Sequence, residues 1–326
     1  MKKTVRRIVG IMGIVAGLAL VVSGCVTYAP QGDTSSATQA GSGGFTVDID
    51  EPSTRGLIQR VTPANFDVTW RYAVSPDEST IVFTGFQSRD SEVADLWSSP
   101  VQGGSPTRIT SGGTDSVYSP SFTSDGEFIV YEIDGSLWMV RSDGSGGRRK
   151  IPGSGVGLDV NPHVSSTDRV VFTSAARDSE SFEWRYVIWT SDLDGGSLIQ
   201  LREGRYPRWS PDGTQIVFEH LGDVWLINAD GTGLVQLTAT DEIQEGLPAF
   251  STTGNEIVYV SNEGGDFNVW AMDAEGTSSI QLTELTSWDS WPLLTENALY
   301  FLSARANDPD AGQDYQRIWR VDRTGQ

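Results

Sequence analysis

Apolar residues along this chain fall in short runs of four to seven, separated by turn signals such as SPDG (210–213), TSDG (123–126), STTG (251–254), NADG (228–231) and DAEG (273–276). After residue 25 no stretch keeps a helical period over eleven residues. The runs repeat. Aligned on the first apolar residue after a turn, Ile81, Ile129, Val170, Ile216, Ile257 and Leu299 mark six units at intervals of 41 to 48 residues. An apolar residue and an aromatic follow in every unit, from Val82-Phe83 to Tyr300-Phe301. A second anchor, an aliphatic residue before a tryptophan, recurs at Trp97, Trp138, Trp189, Trp225, Trp270 and Trp319, so six of the eleven tryptophans occupy one slot. A third anchor runs through Arg108-Ile109-Thr110, Lys150-Ile151-Pro152, Gln200-Leu201-Arg202, Gln236-Leu237-Thr238 and Gln281-Leu282-Thr283.

Four short strands in about 44 residues make one blade of a β-propeller. The expected fold is all-β: a six-bladed β-propeller over residues 45–326, with the tryptophans packed between blades. The third anchor occurs only five times among six units, and an unpaired outer edge invites aggregation. Leu57-Ile58-Gln59-Arg60-Val61-Thr62 resembles the missing copy. It is expected to complete the last blade as its outer strand and to close the ring; an ordered linker is the alternative.

The N-terminus reads differently. Lys2, Lys3, Arg6 and Arg7 precede the apolar run IVGIMGIVAGLALVV (8–22), and Ser23-Gly24 precede the lone cysteine, Cys25. The run is short for a membrane span, which needs about 20 apolar residues. Residues 1–24 therefore read as a lipoprotein signal peptide with lipid attached at Cys25. An uncleaved anchor or an ordinary secretory signal is the alternative, and Arg6-Arg7 also suits a twin-arginine route. Residues 25–44 form a Gly/Ser/Thr-rich flexible tether with a reach of roughly 25 Å. Val26, in place of Asp, favours the outer membrane where two membranes exist.

Charge excludes some partners. Without the four signal-region cations the chain has 19 basic and 43 acidic residues, a balance of −24. Nucleic acid needs clustered Lys and Arg and is not expected to bind. Beyond Cys25 there is no cysteine, so neither disulfides nor a thiol nucleophile are available to the propeller.

The pattern at Tyr206 to Gly213, YPRWSPDG, with the Ile-Val-Phe that follows, resembles TolB-type propeller repeats, and the resemblance covers residues 57–326. It departs where Val164–Val170 and Leu293–Leu299 shorten the turn and where Tyr72 stands in the proline slot. Such blades serve periplasmic adaptors, peptidase accessory domains and carbohydrate-active proteins. TolB itself carries an α/β domain ahead of its propeller; the roughly thirty residues before the first predicted strand leave that domain unexpected here. The YPRWSPDG motif itself reads as scaffold.

Candidate chemistry is sparse. No G-x-S-x-G elbow occurs. His163 and His220 are the only histidines, too few for a three-His metal site, and read as surface or hydrogen-bonded residues. Asp192-Leu193-Asp194-Gly195 lacks the full calcium-loop run and reads as a hairpin turn, and GSGGRRK (144–150) lacks P-loop spacing. No cofactor or metal is expected. In a propeller the long loops 86–95, 174–186 and 303–316 share one face with the interblade connections, and loops on a rigid scaffold carry function. The candidate binding residues there are Asp115, Tyr118, Asp159, Asn161, His163, Trp184, Arg185, Arg205, Tyr206, Glu245, Trp288, Asp289, Trp291 and Tyr315. The expectation is an extracytoplasmic, membrane-anchored, monomeric lipoprotein that holds an envelope protein or peptide without catalysis. A carbohydrate-binding or polysaccharide-processing protein is the alternative, and a purely structural propeller is a third.

Overall fold

The computed structural model describes residues 58–63, 67–86, 91, 93–111, 113–284, 288–303 and 316–323. Its regular structure is β-strand throughout. Strand β1 (Ile58–Arg60) precedes the first blade, which is β2 (Asp67–Val74), β3 (Thr80–Phe86), β4 (Asp95–Pro100) and β5 (Thr107–Arg108). Blade 2 is β6 (Val117–Phe122), β7 (Phe128–Ile133), β8 (Ser136–Arg141) and β9 (Arg149–Ile151). Blade 3 is β10 (Leu158–Val164), β11 (Arg169–Arg177), β12 (Trp184–Asp192) and β13 (Ile199–Glu203). Blade 4 is β14 (Arg205–Trp209), β15 (Gln215–His220), β16 (Asp223–Asn228) and β17 (Val235–Gln236). Blade 5 is β18 (Glu245–Phe250), β19 (Glu256–Ser261), β20 (Asn268–Asp273) and β21 (Ser279–Gln281). Blade 6 contains β22 (Asp289–Leu294), β23 (Ala298–Ser303) and β24 (Arg317–Asp322), with β1 hydrogen-bonded to β24 as its fourth strand. The fold is a six-bladed β-propeller.

The anchors explain the blades. In every blade the aromatic of the second strand stands directly across from the tryptophan of the third: Phe83 and Trp97, Tyr131 and Trp138, Phe172 and Trp189, Phe218 and Trp225, Tyr259 and Trp270, Phe301 and Trp319. Such cross-strand aromatic pairs set register as well as adding stability. The six second-strand aromatics are almost fully buried, each contributing about 1.5–3 kcal/mol. Each apolar cluster joins two consecutive blades, and one unites Val68, Ile81 and Phe83 of blade 1 with Tyr300, Leu302 and Ile318 of blade 6.

The third anchor has a mechanism too. Ile109, Leu237 and Leu282 donate their N–H groups to the carbonyls of Leu96, Val224 and Val269, and Thr110, Thr238 and Thr283 accept the N–H of the same three residues on their hydroxyls. In blade 6, Val61 N–H donates to the Ile318 carbonyl at 2.9 Å and Ile318 N–H to Thr62 Oγ1 at 3.5 Å. The segment read as the missing anchor makes the anchor's bonds.

Two local devices position the inner strands. In the SPDG turn, Ser210 Oγ donates to Asp212 Oδ1 (2.6 Å), Asp212 accepts Thr214 N–H (3.0 Å), and Gly213 takes φ +72°. Ser75 with Asp77 and Thr123 with Asp125 repeat the same bond. Upstream, each inner strand is interrupted by a bulge. There Ser119, Asn161, Tyr206, Leu247 and Trp291, each directly before a proline, hold left-handed φ values of 52° to 57°. A non-glycine residue costs on the order of 1 kcal/mol or more in that region. In blade 1, where Tyr72 replaces the proline, the preceding Arg71 keeps a negative φ.

Candidate functional site

The six bulges bring residues of non-adjacent blades together at the propeller axis. Tyr206 of blade 4 meets Trp291 of blade 6 edge to face, with ring centroids 5.3 Å apart. Arg71 of blade 1 lies on both, its guanidinium carbon 3.9 Å from the Trp291 centroid and 5.8 Å from that of Tyr206. Tyr72 closes the group by donating its hydroxyl to the Trp291 carbonyl at 2.7 Å. A cavity of about 310 Å³ adjoins this cluster, lined by Tyr72, His163, Arg208, Trp209, Phe250 and Trp291 among others. Because its wall also includes the turn residues Pro76, Ser124, Ser166, Pro211 and Thr252, it lies toward the short-turn end of the channel.

The electrostatics are unusual for so acidic a chain. Arg71 is 1% exposed, and none of its three guanidinium nitrogens has a hydrogen-bond partner among the described residues. Burial, and next the positive charge of Arg208, pull its pKa well below the ordinary arginine value. Arg208 is likewise desolvated, down to about 10, and so stays charged at neutral pH. The balancing carboxylate is Glu132 of blade 2, which accepts Asn161 N–H at 2.7 Å; burial raises its pKa while that bond and Arg71 pull it down. His163 accepts Trp209 N–H on Nδ1 at 3.0 Å, and burial followed by Arg208 and Arg71 holds it neutral. Burial likewise pushes the phenol of Tyr72 well above its usual range.

The predicted residues separate into three groups. Asn161, His163, Tyr206 and Trp291 belong to the channel. Asp159, Arg205, Glu245 and Asp289 are largely turned inward: Asp159 accepts Ser154 Oγ (2.6 Å) and N–H (3.0 Å), Arg205 pairs with Glu219, Glu245 accepts Thr240 Oγ1 (3.2 Å), and Asp289 is fully buried. Asp115, Tyr118, Trp184, Arg185 and Trp288 keep solvent-facing surface. Of these, Arg185 pairs with Glu203 at 2.5 Å and Trp288 stacks on Phe267 at 5.3 Å. Tyr315, Cys25 and the tether lie outside the described residues, as do most of 303–316 and 87–90.

YPRWSPDG is more than scaffold: its turn builds the blade while Tyr206 and Arg208, either side of the proline, serve the channel. Arg71, Tyr72, Arg208 and Glu132 were not anticipated. The signal was available in the repeat. Down the six units, the position before the proline is Arg71, Ser119, Asn161, Tyr206, Leu247 and Trp291, and the one after it Ala73, Ser121, His163, Arg208, Ala249 and Leu293. Among these, Arg71, Tyr206, Arg208 and Trp291 break the repeat with bulky or charged side chains, whereas Ala73, Ala249 and Leu293 pack in the clusters between blades.

The loop-bearing face differs in character. Leu221 is 87%, Phe182 64% and Val156 63% exposed, on a blade 4 turn, the long blade 3 loop and the connection between blades 2 and 3. The blade 3 loop is ordered from within: Asp178 accepts Glu180 and Ser181 N–H groups on its carboxylate, and Arg177 Nε donates to the Phe182 carbonyl at 2.9 Å. Among the described residues no three of His, Cys, Asp or Glu converge as a metal site.

Comparison with known proteins places the fold. Residues 45–138 match the family described as the dipeptidyl peptidase IV (DPP IV) N-terminal region. The uncharacterized protein Atu1656 of Agrobacterium fabrum is 32% identical over 182 residues, which are 51% of this chain and 59% of that one. The chain thus spans less than two thirds of that relative. Among solved structures, a TolB described as putative, from Agrobacterium tumefaciens, superposes with a TM-score of 0.55 at 15% identity, over 68% of this chain and 95% of that one. An oligogalacturonate lyase from Vibrio parahaemolyticus gives 0.53 at 13% identity, over 81% and 93%. The chain is a six-bladed propeller of the TolB-like fold.

Proposed function

We propose that this protein is a non-catalytic binding protein of the cell envelope, tethered by lipid at Cys25, whose propeller holds a protein or peptide partner on its loop-bearing face. The observation that carries the reading is the exposed apolar set Val156, Phe182 and Leu221, displayed by the connection into blade 3, the long blade 3 loop and a blade 4 turn. Hydrophobic side chains held on a preorganised loop bind with less ordering cost than on a flexible one, and a few such anchors dominate an interface. The internal bonds of Asp178 supply that preorganisation for Phe182.

The test is affinity capture from detergent-solubilised native membranes. Residues 45–326 serve as bait beside the Phe182→Ser, Leu221→Ser double variant. A protein held by the parent and weakened at least about tenfold by the double variant is expected, since two anchors at about 1–2 kcal/mol each suffice. Equal retention by both baits would sink the assignment to this face. Capture of no protein, together with a positive glycan array, would move the function to carbohydrate binding.

A further inference from the structure

The channel is a separate problem from the loop face. A buried arginine is expensive unless carboxylates or carbonyls receive its five N–H donors. Arg71 has an aromatic face beneath it but no acceptor on any nitrogen among the described residues. Arg208 presents a second desolvated guanidinium on the cavity wall. The two cations repel each other, and the buried carboxylate of the group, Glu132, offsets Arg71. His163 is neutral, so the group carries a surplus of about one positive charge inside a chain whose formal net charge is −20. Packing alone does not account for this arrangement, because an apolar side chain of similar size in place of an unpaired buried charge is commonly neutral or stabilising.

We infer that the channel cavity is a binding site for a small monocarboxylate, held by Arg208 with Arg71 supplying the second positive charge behind Trp291. The cavity size selects the class: about 310 Å³ admits a ligand of modest size. The charge selects a monoanion, since one surplus cation balances one carboxylate and would leave a phosphate dianion unbalanced. The walls select an apolar body, because Phe250, Trp209 and Trp291 line the same space. A planar guanidinium and a planar carboxylate can form two parallel N–H···O bonds. The site lies toward the short-turn end of the channel, away from the loops assigned to a macromolecular partner, and does not depend on that assignment.

The experiment follows the Arg208 Nε–H resonance of residues 45–326 in chloride-free buffer during titration with benzoate, and in parallel with benzamide. Benzoate is expected to saturate with a Kd on the order of 1 mM, while benzamide, its neutral isostere, causes no matching shift. Arg208→Met is expected to lose at least tenfold in benzoate affinity, read by calorimetry, while melting no lower than the parent. Equal shifts from benzoate and benzamide, no saturation by about ten times that Kd, or full competition by equimolar chloride would each overturn the carboxylate site. An Arg208→Met variant that binds benzoate as the parent does would overturn the role of Arg208. Both isostere titrations use the unmodified sequence, so their outcome does not depend on whether a variant folds.

Discussion

At the scale of single residues, the repeated turn aspartates give the protein a defined response to acid. Asp77, Asp125, Asp212 and Asp273 all sit below the usual carboxylate range, because neighbouring hydroxyls and N–H groups bond the ionised form. Asp273 is lowest, at about 2, held chiefly by the Thr277 hydroxyl and then its N–H. A depressed folded-state pKa contributes stability that is present above the unfolded value of about 3.9 and lost as pH falls toward the folded one. Asp273 therefore stabilises the fold above about pH 4 and ceases to by about pH 2. Glu132, Asp159 and Glu245 act in the opposite direction, since burial raises their pKa values. The diagnostic is thus a difference: melting temperatures of the parent and Asp273→Asn should converge between pH 4 and pH 2, the parent being higher above that window. The gap should be small, because an exposed carboxylate is screened by solvent. Parallel curves would refute the assignment. The Ser/Thr-x-Asp turns were legible because their chemistry is local; the environment of Arg71 was not, because Tyr206 and Trp291 reach it from 135 and 220 positions away.

At the scale of elements, the hairpin turns and the inner-strand bulges show what a repeat does and does not disclose. The turn at Asp192–Gly195 is geometric: Gly195 N–H bonds the Asp192 carbonyl at 2.9 Å, and Gly196 N–H bonds Asp194 Oδ1 at 2.9 Å. Gly195 holds φ +84°, and a Cβ there would stand 2.5 to 2.7 Å from the Pro152 ring of the neighbouring blade. Gly195→Ala is expected to cost about 1–3 kcal/mol, measured by urea denaturation, while Asp194→Asn, which keeps an acceptor, should stay within about 0.5 kcal/mol. A Gly195→Ala protein as stable as the parent would contradict the close approach. Blade count and strand order followed from the recurring anchors, but register did not, since the aromatic and the tryptophan it faces lie between 7 and 18 positions apart. The left-handed residue before each proline did not, since a residue ahead of proline is normally extended, and only the assembled inner strand shows the bulge that aims Tyr206 and Trp291 at the axis. The departure at Tyr72 was visible, yet its neighbour Arg71 gained meaning only beside Trp291.

At the scale of the whole molecule, blade 6 holds both the earliest described strand and the last, so its integrity depends on residues some 260 positions apart. Ile58 to Arg60 pair with Val321 to Trp319, Val61 is buried in the cluster uniting blades 1 and 6, and Thr62 accepts the Ile318 N–H. A chain starting at residue 64 loses all of this. Removing Val61 from the core alone forfeits about 1.5–3 kcal/mol, and the freed edge of β24 offers unpaired N–H and C=O groups to other molecules. For a domain of this size each kcal/mol lowers the melting temperature by about 2–4 °C, so the truncated chain should melt about 5–10 °C below residues 45–326 by calorimetry. Self-association, read by light scattering, should rise with protein concentration. Added salt should assist both proteins by screening their shared negative charge, so the difference between them, unlike their absolute stability, should survive at about 1 M salt. Were the two to melt together and remain monomeric, β1 would be an ornament on blade 6, and the buried packing of blade 1 against Tyr300, Leu302 and Ile318 would suffice to hold those blades together.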